Sequence, residues 1–271
     1  MPELPEVETV CRGLSSKILN LTIKKIEVIN YRLRYFIPES ILDLMPKRKI
    51  KRIIRRSKIG IFLLDGPYNI YFHLGMTGKF IIYEGPYLVN KHDHLIIKLS
   101  NGITVIYNDV RKFGYIKLLK KPLDIVHFKN LGIEPSLTYY FRDCLFDKLK
   151  KLKRAIKDIL LDQKYICGIG NIYANEALYH AKISPFRTGD SLNKLEFYRL
   201  LCAVQEILKK SIDKGGSSIK DYVHITQELG YFQTEFKVYG KNKLNCENCK
   251  SLILKERQNG RSTFYCKSCQ K

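Results

Sequence analysis

The first six residues, MPELPE, combine an imino acid with two carboxylates. If Met1 is removed, Pro2 carries a free secondary amine, and because α-amino groups titrate near pH ~7.7–8.0, part of it is neutral at physiological pH. A neutral amine can attack a sugar C1′ or a carbonyl carbon and form an imine-type intermediate. Glu3 and Glu6 follow at a predicted helix start, where the helix dipole stabilises carboxylates. Their side chains can donate or accept protons near the amine. An ordinary helix start, with proline and then acids in the first turn, explains the same residues without any chemistry.

Four of the eight cysteines form two closely spaced pairs, Cys246-x2-Cys249 and Cys266-x2-Cys269, separated by sixteen residues. This spacing predicts two knuckles that close one tetrahedral zinc site, with no open position for catalysis. Two disulfides are the alternative, and the absence of a secretory signal disfavours them. We expect one structural zinc ion, and we expect the remaining cysteines to be ordinary buried residues. These are Cys11, Cys144, Cys167 and Cys202.

The charge balance indicates a polyanionic partner. The 271 residues include 48 Lys and Arg against 26 Asp and Glu, a net charge of +22. Nucleic acid is the favoured partner and an acidic membrane the less common one. Basic residues cluster in residues 47–58, 148–157 and 241–271, which predicts a basic groove whose binding weakens with salt. The sequence contains no apolar run of about 18 residues and no secretory signal, so we expect a cytoplasmic protein without a membrane span.

The hydrophobic pattern predicts an α+β protein with two domains. A helix over residues 3–19 precedes a strand-rich region over 21–120, which predicts a helix plus β-sandwich. Helical periodicity follows over 139–162, 171–181 and 192–213. We expect the domain boundaries to divide the chain into 1–120, 121–237 and a zinc hairpin at 238–271. Gly168 and Gly170 allow a tight turn, after which Asn171 is predicted to cap a helix and create an anion site.

Seven segments stand out as motifs, in chain order MPELPEVETV, RSKIGIFLL, HLGMTG, KHDH, NDVRKFG, LLDQKYICGIGNIYANEALYHAKISP and GRSTFYCKSCQK. They resemble the motifs of the formamidopyrimidine-DNA glycosylase family, bacterial enzymes that remove oxidised guanine from DNA. The resemblance extends over the whole chain. It implies a helix-two-turn-helix domain, excision of oxidised purines (8-oxoguanine and formamidopyrimidines) and strand cleavage by β,δ-elimination.

The resemblance also implies catalytic roles for four residues. Pro2 matches the nucleophile that displaces the base and holds the sugar as a Schiff base, and Glu3 matches the general acid/base. Lys58 matches a basic group that transfers protons during β-elimination. Arg261 matches the arginine that binds the phosphate beside the lesion and serves δ-elimination.

Further positions match residues that contact DNA. Met76, Arg111 and Phe113 would fill the space left by the everted base, which suits an apolar wedge and a forked donor. The other expected DNA-binding residues are Glu6, His92, Lys157 and Asn171. A mobile lesion-recognition loop is expected at 215–229. Val110 stands where many family members have proline, which bears on the stiffness of the Arg111 turn.

The expected partner is damaged double-stranded DNA, with no membrane and no nucleotide cofactor. The family resemblance implies a monomer associated with the nucleoid in the bacterial cytoplasm. Two alternatives remain open from the residues. One is an endonuclease VIII-like glycosylase for oxidised pyrimidines, and the other is a non-catalytic zinc-ribbon protein that binds DNA.

Overall fold

The structure is a computed structural model that describes residues 1–120, 128–217 and 232–271. The chain divides into two compact units, which are described separately. The first unit comprises residues 1–129 and 215–231, and the second comprises residues 130–214 and 232–271. None of the described helices combines the length and hydropathy that a membrane crossing requires.

The first unit consists of a helix and two four-stranded antiparallel sheets. Its helices are α1 (Leu4–Ile18) and the short α2 (Ile41–Leu44). Its strands are β1 (Ile23–Val28), β2 (Ile50–Arg56), β3 (Ile59–Leu64), β4 (Tyr68–His73), β5 (Lys79–Glu84), β6 (Asp93–Leu99), β7 (Ile103–Asn108) and β8 (Tyr115–Lys120). One sheet has the order β1-β6-β7-β5 and the other has the order β2-β3-β4-β8. The predicted helix plus β-sandwich is confirmed.

Helix α1 buries the apolar side predicted from its periodicity. Val7, Val10, Leu14 and Ile18 are at most 2% exposed and belong to the same hydrophobic cluster as the sheet residues. The helix packs against β2 and β3. Cys11 lies in this contact, and burial raises the pKa of its thiol to about 12. The packing fixes the position of the chain's first residues relative to the sheet.

The second unit contains four α-helices among its described residues: α3 (Arg142–Leu149), α4 (Ile156–Leu161), α5 (Asn171–His180) and α6 (Lys194–Asp213). The prediction of one helix over 139–162 is wrong. The backbone between α3 and α4 instead bonds to another segment: Ile156 N donates to the Arg187 carbonyl oxygen at 2.7 Å, and Gly189 N donates to the Arg154 carbonyl oxygen at 3.0 Å. Residues 154–156, at the end of the lysine-rich stretch, therefore pair with residues 187–189 instead of continuing a helix.

The same unit ends in a two-stranded hairpin, β9 (Leu254–Gln258) and β10 (Arg261–Tyr265). Asn259 and Gly260 form its turn with φ of 46° and 77°. Both values lie in the left-handed region that a two-residue hairpin turn requires. A small core that includes Val238, Ile253 and Phe264 lies beneath the hairpin together with two cysteines. The expectation that the isolated cysteines are buried is wrong for Cys144 and Cys202, which are exposed.

Candidate functional site

The N-terminal residues are buried and held by the start of α1. Pro2 is buried, and Glu3 and Glu6 are 3% and 2% exposed. Glu6 Oε2 accepts a hydrogen bond from Glu3 N at 2.7 Å, as in a capping box. Glu6 Oε1 accepts from both the backbone N and the Oγ of Ser217 at 2.9 Å. Both oxygens of the Glu6 carboxylate therefore accept hydrogen bonds within the protein, and its expected DNA contact stays a prediction.

Glu6 also connects the N-terminus to the segment where the lesion-recognition loop was expected. Gly216 has φ +81°, and a Cβ there would lie 3.4 Å from Glu6 Cγ and Oε1. Of the predicted loop at 215–229, only residues 215–217 are described, and the remainder lies outside the described residues.

Lys58 lies in the two-residue turn between β2 and β3, where Arg56 pairs with Ile59. The side chain is 9% exposed. Arg55 supports this turn, because its Nη1 donates to the Ser57 carbonyl oxygen at 3.0 Å. Its Nε donates to Oε2 of Glu8 on α1 at 2.9 Å. The helix that begins beside Glu3 thus also anchors the turn that carries Lys58.

Met76, Arg111 and Phe113, predicted from the sequence as a wedge, line one cleft of about 630 Å³. The guanidinium of Arg111 lies 4.8 Å from the Phe113 ring centroid. Phe113 is 46% exposed, which leaves a large apolar side chain available to a partner. The other lining residues are Met1, Arg34, His73, Gly75 and Lys112. The cleft therefore joins the three wedge residues to the N-terminal residue.

Asp109 organises this cleft, and the sequence analysis missed it. Its side chain is fully buried and accepts from Thr77 Oγ1 at 2.5 Å and from Gly114 N at 2.8 Å. Arg111 N donates to Asp109 Oδ1 at 3.2 Å and to Thr77 Oγ1 at 3.0 Å. The carboxylate therefore joins the HLGMTG and NDVRKFG segments. The available signal was an aspartate after a buried strand and two residues before a charged turn position, a typical Asx-turn arrangement.

The two segments approach so closely that glycine is required at Gly75. Its φ is +60°, and a Cβ there would lie 2.3 Å from Gly114 N. A Cβ on Gly114 would lie 1.8 Å from the Tyr107 hydroxyl oxygen. Larger residues at either position would separate Met76 from the Arg111 turn.

His73 forms part of the cleft wall. Its ring stacks on Tyr115 with a centroid distance of 5.2 Å, and Nδ1 accepts from Gly75 N at 2.9 Å. Burial lowers the pKa of His73 to about 4, and the charges of Lys58 and Arg34 act in the same direction. His73 is therefore a neutral acceptor at physiological pH.

His92 is half-buried and does not line the cleft, but its carbonyl oxygen accepts from Asp109 N at 3.0 Å. The neighbouring Asp93 holds this loop, since its side chain accepts from Asn108 Nδ2 at 2.8 Å and from Asn90 N at 2.7 Å. His94 Nε2 is bonded to the Asp109 carbonyl oxygen at 2.8 Å. His94 thus has a structural role beside Asp109.

In the second unit, Lys157 and Asn171 contact the hairpin that carries Arg261. Lys157 is fully buried, and its Nζ donates to the Ser262 carbonyl oxygen at 3.0 Å and to Thr263 Oγ1 at 2.7 Å. Asn171 Nδ2 donates to the same Ser262 oxygen at 2.9 Å. Arg261 itself is exposed. The ammonium of Lys157 thus bonds to the hairpin, and its expected phosphate contact stays a prediction.

Electrostatics and local geometry agree with this assignment. Burial lowers the pKa of Lys157 to about 8; Asp158 opposes that shift and Arg261 adds to it. The predicted capping role of Asn171 is also wrong. Gly170 is the N-cap of α5, in extended conformation, and Asn171 is the first helical residue. Because Gly170 takes the N-cap position, the Asn171 side chain is available to bond to the hairpin.

The four paired cysteines fit a tetrahedral zinc ion. Their sulfur atoms lie within 4.8 Å of one another, with 3.8 Å between Cys246 and Cys269 and 3.3 Å between Cys249 and Cys266. Zn–S bonds of about 2.3 Å place tetrahedral sulfurs about 3.8 Å apart. Tyr179 O–H lies 3.2 Å from the Cys246 sulfur, which supplies a hydrogen bond to a ligand.

A second missed residue fixes the segment that enters this module. Glu176 on α5 is 2% exposed, and its carboxylate accepts backbone N–H bonds from Lys237, Val238 and Tyr239 at 2.7–3.0 Å. Buried carboxylates are stable only when such donors surround them. No spacing in the sequence distinguished Glu176 from the other helical acids.

Comparisons with known proteins agree across the chain. Three family models match: the formamidopyrimidine-DNA glycosylase N-terminal domain at residues 1–116, the H2TH domain of the same family at 131–223, and a zinc finger found in FPG and IleRS at 244–271. A zinc-ribbon protein without an enzymatic domain, the second alternative above, does not account for the match at 1–116. The zinc model together with the sulfur geometry confirms the predicted structural zinc site.

Curated relatives and solved structures cover the whole chain. The formamidopyrimidine-DNA glycosylase of Wolbachia sp. subsp. Drosophila simulans (strain wRi) is 42% identical over 270 residues, 100% of each chain. That of Rickettsia bellii (strain OSU 85-389) is 41% identical over 276 residues, again 100% of each. The Lactococcus lactis Fpg in complex with DNA containing an abasic site has a TM-score of 0.92 at 37% identity, covering 99% of each chain.

Another solved structure, MutM in complex with DNA containing carbocyclic 8-oxo-G, has a TM-score of 0.91 at 37% identity over 100% of each chain. The family models, the relatives and the fold agree, and the chain therefore belongs to the formamidopyrimidine-DNA glycosylase family and is a base-excision-repair DNA glycosylase with AP lyase activity.

Proposed function

We propose that this enzyme excises oxidised purines from duplex DNA through the amine of processed Pro2 and then cleaves the strand by β,δ-elimination. The observation that carries the proposal is the arrangement around α1. Glu3 is buried directly after Pro2, and the same helix anchors the turn of Lys58 through Glu8 and Arg55. An amine, a carboxyl and an ammonium are the groups that imine formation and elimination need.

The proposed chemistry begins with attack of the Pro2 nitrogen on the C1′ of an everted nucleotide. The glycosidic bond breaks, its electrons leave with the damaged base, and Pro2 loses its N–H proton. The C1′–O4′ bond of the sugar then opens to form the C1′=N⁺ bond, with Glu3 as the group that supplies a proton to the ring oxygen or to the base. The resulting iminium ion acidifies the C2′ proton. Removal of that proton, with Lys58 as the proton-transfer group, expels the 3′ phosphate, and a second elimination expels the 5′ phosphate.

Met76, Arg111 and Phe113 support the eversion step. All three line one cleft: Arg111 and Phe113 lie on the turn that Asp109 orders, and Met76 lies beside Thr77, which donates to Asp109, so they are placed before DNA arrives. We propose that Met76 and Phe113 occupy the gap in the stack and that Arg111 bonds to the partner base. Preordering matters because the entropy of ordering these side chains does not then oppose binding.

Arg261 is proposed to bind the phosphate beside the lesion, and Lys157 and Asn171 to hold its hairpin in place. The zinc ion takes no part in bond breaking, because four thiolates leave no open coordination position. We further propose that the enzyme acts as a monomer without a nucleotide cofactor, in the bacterial cytoplasm and on the DNA of the nucleoid.

The test is borohydride trapping on duplexes that contain 8-oxoguanine opposite cytosine. The wild-type enzyme is expected to form a covalent adduct, and Glu3→Gln is expected to form it far more slowly. Pro2→Leu, which keeps the initiator methionine because the following residue is bulky, is expected to form none. Adduct formation by Pro2→Leu at the wild-type rate contradicts the mechanism.

The same assay separates the two substrate classes. Parallel duplexes with 8-oxoguanine and thymine glycol are compared in single-turnover excision. Faster release of 8-oxoguanine supports the proposed purine preference. Much faster release of thymine glycol supports the endonuclease VIII-like alternative instead.

A further inference from the structure

Residues 31–37, which we call the aromatic–basic turn, have no role in the site described above apart from Arg34 in the cleft wall. The turn is held from within: Arg32 and Phe36 pair as an isolated antiparallel bridge, and Leu33 and Ile37 pack into the core of the first unit. Its exposed side chains are therefore displayed on a fixed support.

The exposed side chains of this turn are two cations, Arg32 and Arg34, followed by two aromatic rings, Tyr35 and Phe36. The ammonium of Lys117, on β8, lies 4.3 Å from the Tyr35 ring centroid, and the guanidinium of Arg32 lies 6.0 Å from that of Phe36. Within residues 1–120 and the other described ranges, no carboxylate forms an ion pair with Arg32, Arg34 or Lys117. Among the residues that the structure describes, no acidic side chain therefore neutralises their charge.

The turn is continuous with the cleft. The Tyr35 ring packs edge-on against Tyr115 at 5.5 Å, and Tyr115 stacks on His73 of the cleft wall. Arg34 N donates to the Gly114 carbonyl oxygen at 3.1 Å, at the end of the segment that Asp109 orders. A ligand that extends beyond the cleft along this face meets the turn next.

The exposure of the rings calls for a partner. Phe36 is 66% exposed and Tyr35 is 47% exposed, although both stand on an ordered backbone. Unneutralised arginines beside exposed rings suit a nucleic-acid backbone, because the cations bind phosphates while the rings cover sugars or bases. An acidic protein would satisfy the charges, but continuity with the wedge cleft favours DNA.

We propose that the aromatic–basic turn is a second DNA contact, which binds the sugar–phosphate backbone of the duplex flanking the lesion. Arg32 and Arg34 neutralise phosphates, Phe36 packs on a deoxyribose, and Lys117 holds the Tyr35 ring in place. This inference rests on the proposed function, since it extends the DNA path beyond the wedge cleft.

The test compares Arg32→Ala and Phe36→Ala with two controls in the same unit. Lys24→Ala removes an exposed charge on β1, and Leu19→Ala removes an exposed apolar side chain. Equilibrium binding is measured across a salt series on a duplex of about 25 base pairs with a tetrahydrofuran abasic analogue, and on versions trimmed by about five base pairs from each end in turn. Thermal melting checks that each variant is folded, and Phe36→Leu serves as a milder substitution.

On the full duplex, Arg32→Ala is expected to bind about 5–10-fold more weakly and to lower the slope of log Kd against log salt by about 1. Phe36→Ala is expected to lose about 3–10-fold in affinity with an unchanged slope, and Phe36→Leu less. Trimming the end that faces the turn should weaken the wild type and remove the difference between wild type and variants.

The proposal is overturned if Arg32→Ala and Lys24→Ala have equal affinities and equal salt slopes. It is also overturned if the turn variants still bind more weakly than the wild type on both trimmed duplexes. Borohydride trapping with an 8-oxoguanine duplex, at saturating protein, is run on the same samples. If the wild type is trapped normally but the turn variants bind DNA as tightly as the controls, only the proposed DNA contact of the turn is refuted. Loss of trapping in the wild type refutes the proposed function.

Discussion

The wedge cleft of the first unit and the hairpin of the second unit hold their functional side chains by different means. In the cleft, the buried Asp109 carboxylate orders the Arg111 turn by accepting hydrogen bonds from Arg111 N and Gly114 N. In the hairpin, a small core of a few residues is too slight to fix Arg261, and four thiolates and the buried Lys157 supply the constraint. A β-sandwich can thus preorganise a site through polar contacts alone, whereas a hairpin of this size needs a metal.

Zinc removal should produce the largest effect and should act only on the hairpin. Chelation, or Cys249→Ser, removes metal binding that contributes on the order of 10 kcal/mol to the order of a small module. We expect loss of DNA affinity and of strand scission, measured by binding and product gels. Near-native melting of the β-sandwich, followed by protease protection of its peptides, is the internal control. Retained DNA affinity after demonstrated zinc loss contradicts the comparison.

Replacing Asp109 should have the next largest effect and should destabilise the cleft of the first unit. Asp109→Ala leaves Thr77 Oγ1 and Gly114 N without this acceptor in a buried place, while Arg111 N keeps only Thr77 Oγ1, at a cost of about 3 kcal/mol. Urea unfolding of the first unit is expected to report that loss. Asp65→Ala, at an exposed acid elsewhere in the same unit, is the matched control. Equal free energies of unfolding for the two variants would contradict the role of Asp109 in ordering the cleft.

His73 predicts a pH dependence of the first unit. Its pKa is about 4 in the folded protein, against about 6.5 when unfolded, so the unfolded chain binds more protons between these values. Stability should be fully present above pH ~6.5 and fall by about 2 kcal/mol towards pH ~4, once the partial exposure of the ring is allowed for. Other carboxylates titrate in the same range, so the measurement is the difference between wild type and His73→Gln. The same slope in both proteins contradicts the assignment.

The smallest expected effect concerns Lys157 and the position of Arg261. Lys157→Met removes two hydrogen bonds to the hairpin but also a buried charge, so overall stability should change little. Misplacement of Arg261 should slow δ-elimination about tenfold, whereas base excision changes less. Lys153→Met is the exposed control from the same basic run. A variant that loses excision and δ-elimination equally would indicate a general structural role for Lys157.

Local sequence patterns predicted those parts of the site that depend on short-range geometry. Two Cys-x2-Cys pairs define the zinc ligands because each knuckle is a single turn. The helix at Leu4–Ile18 and the strands of the sandwich followed from periodicity, and the family motifs supplied the wedge residues.

Long-range contacts were not predictable in this way. The helix over 139–162 fails because residues 154–156 pair with a segment more than thirty residues away, which periodicity does not register. Asn171 and Lys157 turn inward because the hairpin, about 90–105 residues later, offers them carbonyl and hydroxyl acceptors. Asp109 and Glu176 gain their importance from burial, and burial depends on the complete fold.

The central claim is tested most directly by the intact mass of the borohydride-treated complex with an 8-oxoguanine duplex, followed by mapping of the modified peptide. The account predicts a protein without Met1, with one DNA remnant attached to the nitrogen of Pro2. A fully active protein that retains Met1, or an adduct located on a lysine while Pro2 is unmodified, would contradict it.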